Sequence, residues 1–136
     1  MKKSWFIPAI VWFITSTILL TLPGDDLPST EIFGIENFDK LVHLGMFSLL
    51  TFLFSYPFLK AGTVKNKFIL WTMRIAFMVM IYGILMEFIQ KYWAKGRAFD
   101  YSDILFDCIG SIMGGIALHI LGKKIGPDRN RGRNQN

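Results

Sequence analysis

Four apolar runs, at about 4–22, 41–59, 68–90 and 104–121, leave this chain few ways to fold. Each is close to the ~20 residues that a helix rising about 1.5 Å per residue needs to cross hydrocarbon. A soluble domain of 136 residues would have to hide all four in one core, and 52% hydrophobic against 18% charged residues leaves little polar surface to cover them. The sequence therefore predicts an all-α, polytopic membrane protein: a four-transmembrane-helix bundle over residues 1–122, followed by a basic, flexible cytoplasmic tail over 123–136. Lys2 and Lys3 before the first run would also suit a secretion signal. The Leu-Thr-Leu-Pro-Gly at 20–24 is no small-residue cleavage site, so the run is expected to stay as a helix that stops at Pro23-Gly24.

The basic residues set an orientation. Lys2, Lys3, Lys60, Lys65, Lys67, Arg74, Lys123, Lys124, Arg129, Arg131 and Arg133 fall on one side of the four spans, against Lys40, Lys91, Lys95 and Arg97 on the other. The positive-inside rule then predicts both termini in the cytoplasm. Arg74 interrupts the third run and is expected to snorkel to the inner headgroups. Trp5 and Trp71 fall near the inner interface and Trp93 near the outer one, while Trp12 lies deeper and needs a packing reason. The net charge of +5 is dispersed between apolar runs, a distribution that suits a membrane surface and not nucleic acid.

Every acid except Asp128 falls in the outer half, where three pieces of chain converge. Asp39 and His43 enter the second run, Glu87 and Gln90 leave the third, Arg97 belongs to the outer turn at 91–102, and Asp103 and Asp107 enter the fourth. Asp103 and Asp107 are one helical turn apart, and Gly110 and Gly114 continue the same stripe, so the helix face that carries charge also permits close helix approach. Two readings stand: an ion-pair network closing the bundle mouth, or a ligand site using Asp39, His43, Glu87, Gln90, Arg97, Asp103 and Asp107. In an enzyme, His43, Glu87 and Asp103 are the candidates for proton transfer or cation binding, with Arg97 holding phosphate or carboxylate; no nucleophile signature is evident. A metal site on His43, Glu87, Asp103 and Asp107 is the weaker reading, since the spacing is no established metal motif and Arg97 offers a positive charge in its place. No metal and no cofactor is expected. The single cysteine, Cys108, excludes an internal disulfide and reads as apolar filler. A channel is disfavoured because the charges gather at the ends of the runs and leave their centres apolar; His119, near the inner end, opens no path.

The order Asp39-Lys-x-x-His43, Glu87-x-x-Gln90, then Arg97-x5-Asp103-x3-Asp107-x2-Gly110-x3-Gly114 resembles the VanZ-like family of small bacterial membrane proteins. The likeness extends over about 4–122. It implies the bacterial cytoplasmic membrane, an envelope-related role and an association with teicoplanin susceptibility. The partners it suggests are membrane lipid and a cell-envelope precursor or other lipid-linked ligand; self-association is left open. The family pattern often carries Asn where this chain has Asp107, so the charge at that position departs from it.

Overall fold

The computed structural model describes residues 1–22, 38–94 and 99–131, with side chains through Lys124. A 3-10 turn at Lys3–Phe6 leads into α1 (Ile7–Thr21); α2 (Phe38–Lys60), α3 (Lys65–Trp93) and α4 (Tyr101–Arg131) follow. Pro8 sits in the first turn of α1, where its missing N–H has no intrahelical partner to lose. Among the described residues, four helices are long and apolar enough to cross a membrane: Lys3–Thr21, Phe38–Lys60, Lys65–Trp93 and Tyr101–Lys124. The all-α expectation holds and every apolar run is a helix. The fourth helix is longer than its apolar run and continues as far as Arg131.

The bundle turns much of its apolar surface outward. On α3, Met73, Phe77 and Met78 are each more than 60% exposed, and on α1 and α4 Ile18 and Ile116 are each more than half exposed. Such a surface is costly in water and suits hydrocarbon. Inside, Leu20, Met46, Phe47, Leu50, Val79 and Met86 form the core, with Trp12, Phe54, Ile75, Tyr82 and Ile89 packed on it. The depth of Trp12 has a polar reason, because its indole Nε1 donates to the Met46 carbonyl at 3.1 Å and ties α1 to α2.

One end of the bundle gathers cations on aromatic rings. Lys60 lies over the Trp5 ring at 4.9 Å and Arg74 over Trp71 at 5.2 Å, with Phe58 packed between Trp71 and Phe6. These pairs give the basic heads an interfacial seat while their stems lie along apolar surface. Pro57 does not stop α2, which continues for three more residues to Lys60. The stop is a Schellman turn: Gly62 adopts φ 69°, its N–H bonds Leu59 O at 3.0 Å, and Thr63 N–H bonds Phe58 O at 3.2 Å. This short turn sets α2 and α3 antiparallel.

The tightest seam is between α2 and α4, which have the most extensive contact in the bundle. A Cβ at Gly110 would collide with the Leu44 carbonyl, and one at Gly114 with the Ser48 carbonyl. Two glycines one turn apart therefore lie against two successive turns of α2 backbone, the close approach that small residues allow in membrane bundles. That approach brings the polar side chains of α2 and α4 into contact further along the same seam.

Candidate functional site

His43 in α2, Glu87 in α3, and Asp103 and Asp107 in α4 meet at the end of the bundle opposite the Lys60 turn. All four are buried, with 4%, 1%, 8% and 1% of their surfaces exposed respectively. His43 Nδ1 lies 2.9 Å from Asp107 Oδ1, and Nε2 lies 4.0 Å from Asp103 Oδ2. The first separation is a hydrogen bond and the second is too long for one. With Asp107 accepting from Nδ1–H, the Nε2 edge of the ring faces the side where Asp103 and Glu87 lie. One ligand atom from each of His43, Glu87 and Asp103 falls within 4.8 Å of the other two.

Packing fixes both halves of the His43–Asp107 pair. The His43 ring lies nearly parallel to Phe47, one turn along α2, at 7° and 6.3 Å between centroids. Asp107 rests against α3 at Gly83, where an added Cβ would stand 2.7 Å from Oδ2 and 2.9 Å from the Phe47 ring. Gly83 thus makes room for the carboxylate and for the ring on which the imidazole lies. Ser111 Oγ donates to the Asp107 carbonyl at 2.8 Å and adds a bond within α4.

Asp100 connects the site to the start of α4. Its backbone N–H donates to Glu87 Oε2 at 3.0 Å, and its Oδ1 accepts from Ser102 N–H at 2.7 Å. The second bond is an N-cap, and it holds the Asp100 carboxyl below the usual carboxylate range. Asp100 was not a candidate on sequence grounds, although Asp100-Tyr-Ser-Asp103 ahead of an apolar run is a helix-start pattern. Phe47 and Gly83 carried no readable signal, since their roles arise from contacts between helices.

The other sequence candidates have different places. Gln90 is buried, and its Nε2 donates to Leu20 O at 3.0 Å, so it secures the end of α1 to α3. Asp39 is exposed in the first turn of α2, where a negative charge faces the positive end of the helix dipole. Arg97 lies outside the described residues, as do Lys95 and the segment 23–37.

The cluster is incompletely satisfied. Glu87 Oε1, Asp103 Oδ1 and Asp107 Oδ2 are buried with no hydrogen-bond partner among the described residues. A buried carboxylate oxygen left without a partner is expensive, and among the described residues His43 is the one group that faces these three. The arrangement can accept protons or a cation, and it can orient one imidazole nitrogen toward a ligand. The profile of the VanZ/LLP1 family matches residues 3–122, while comparison with curated proteins and with solved structures gives no match. That span takes in the first three membrane helices, nearly all of the fourth and every residue of the buried cluster, and the chain belongs to the VanZ/LLP1 family.

Proposed function

We propose that this protein recognises the polar headgroup of a membrane-anchored cell-envelope component through His43, Glu87, Asp103 and Asp107, at the extracytoplasmic face of the bacterial cytoplasmic membrane. The observation that carries the reading is the set of three buried carboxylate oxygens that have no hydrogen-bond partner among the described residues, beside an oriented histidine at one end of the bundle. An evolved structural plug would be expected to pair those oxygens, whereas a ligand site leaves valences for its ligand. The outward assignment rests on the basic-residue count, with both termini and the 60–67 turn cytoplasmic and 123–136 a basic tail on that side. Arg97, in the segment joining α3 to α4, supplies the charge for an anionic part of the headgroup. Altered teicoplanin susceptibility is the cellular effect that this family suggests.

Purified protein in nanodiscs, titrated with fluorescent lipid-linked phosphates and with phosphatidylethanolamine, tests the proposal. Wild type should bind one of them saturably, and Glu87→Gln and Asp103→Asn should lose that binding while remaining helical and monodisperse. Equal binding by all three proteins would remove the cluster from recognition. A second reading, hydrolysis or transfer on the bound headgroup, is favoured by the His43–Asp107 pair, because a carboxylate that fixes an imidazole tautomer leaves the other nitrogen placed for proton transfer. Product formed by wild type and not by His43→Gln would establish it.

A further inference from the structure

We infer that His43, Glu87 and Asp103 form a binding site for one divalent transition-metal ion of the zinc or manganese class, with Asp107 as the positioning residue behind the histidine. The inference rests on the reading of this cluster as a ligand site and names the cation that its chemistry fits.

Geometry comes first. The three ligand atoms lie within 4.8 Å of one another, and His43 Nε2 is 4.0 Å from Asp103 Oδ2. Two nitrogen or oxygen ligands at about 2.0–2.2 Å from one ion stand about 3.4 Å apart in a tetrahedron. A contraction of about 1.4 Å or less therefore closes the site, within the reach of side-chain rotations. The separation is too long for a direct bond and short enough to be bridged by an ion.

The hydrogen bonding provides an independent argument. Metal-binding histidines usually donate their second ring N–H to a carboxylate, which fixes the tautomer and raises ligand basicity. Asp107 Oδ1 at 2.9 Å from Nδ1 has that relation to His43, and Phe47 and Gly83 hold the pair in place. Glu87 is arranged similarly: Oε2 is engaged by the Asp100 N–H, while Oε1, in a residue 1% exposed, has no partner among the described residues. Asp103 Oδ1 is likewise buried and unpartnered. An ion would satisfy these oxygens and offset the excess of carboxylates over imidazole.

Ligand type narrows the choice. Calcium takes six to eight oxygens and magnesium keeps most of its water, whereas one imidazole with two carboxylates suits zinc or manganese. Three protein ligands leave a coordination position open. A phosphate or carboxylate oxygen of the envelope headgroup fits that position, which explains how an acid-rich pocket accepts an anionic ligand.

The test uses the full chain in detergent, stripped with chelator, equilibrated with ZnCl2 or MnCl2 and measured by elemental analysis and competition titration. About one ion per chain is expected from a single three-ligand site. Asp107→Asn should weaken affinity about 10- to 100-fold, and His43→Gln, Glu87→Gln and Asp103→Asn by more, with helicity retained. His119→Gln, at the other end of the bundle, should leave it unchanged. Wild type should also show nitrogen coupling to bound Mn2+ in pulsed electron paramagnetic resonance, a readout that needs no variant to fold. No uptake above buffer, equal uptake by His43→Gln, or Mn2+ without nitrogen coupling would overturn the inference. Headgroup binding that persists in chelated protein would also overturn the metal's part and leave recognition standing; stoichiometric metal without headgroup binding would support the site and refute recognition.

Discussion

The same substitution, glycine to alanine, should have opposite effects at Gly45 in α2 and at Gly114 in α4. Gly45 in α2 is exposed and a Cβ there would meet nothing within 4 Å, so Gly45→Ala gains helix propensity without a collision. That gain is about 1 kcal/mol. Gly114 in α4 faces the Ser48 carbonyl, and backbone atoms cannot move aside as a side-chain tip can. Relief requires the helices to separate, which also loosens Gly110 from Leu44 and the polar contacts further along. Overpacking of this kind costs about 1–3 kcal/mol net, so the two variants should differ by about 2–4 kcal/mol. Thermal and detergent-induced unfolding followed by circular dichroism and tryptophan fluorescence would measure both. Gly114→Ala as stable as Gly45→Ala would refute the backbone-to-backbone packing.

Gly83→Ala should displace Asp107 and Phe47 by several tenths of an ångström, and the His43 ring resonances should shift in NMR spectra without loss of helicity; unchanged resonances would remove Gly83 from the site. Asp100→Ala should lower stability by about 0.5–2 kcal/mol in chemical unfolding, and Asp100→Asn by much less, since either Asp or Asn can cap α4. The Asp100 carboxyl lies below its ordinary value of 3.8. Its contribution is therefore complete above that value and is lost as pH falls through the lower folded one; the gap between wild type and Asp100→Ala should close on that acid limb and not near neutrality. Cysteine labelling from outside intact cells should reach 91–102 and not 60–67, and labelling of 60–67 would invert the site.

The membrane helices were legible because hydrocarbon length and apolar run length are set by one spacing, and the runs at 41–59 and 68–90 needed only modest extension to become α2 and α3. Pro57, three residues before the end of α2, removes only one N–H, and the Schellman turn at Gly62 makes the stop. At the site, Asp103, Asp107 and the glycines declare a shared face through their spacing, and His43 and Glu87 stand out as charge-bearing groups inside apolar runs. Gln90 shares the apparent stripe of Glu87 yet turns to Leu20 O, because a side chain's partner depends on how α1 crosses α3 and not on its own helix. Asp107 proved to be the partner of His43 across 64 positions of chain, and Gly110 and Gly114 allow those two helices to lie close. Phe47, Gly83 and the Asp100 N–H have no sequence signature for the same reason.

Glu87→Gln tests most directly whether the cluster is kept for a ligand or for the fold. The substitution preserves the shape and the acceptor for Asp100 N–H, and removes the charge from a carboxylate whose Oε1 is buried with no partner among the described residues. If the cluster serves a ligand, chelator-stripped Glu87→Gln should need as much heat or detergent to unfold as chelator-stripped wild type, or more, because a buried charge has been removed. Headgroup binding in nanodiscs should at the same time be lost. A Glu87→Gln protein that unfolds more readily while binding the same lipid-linked phosphate with wild-type affinity would contradict the account and make the cluster a structural plug.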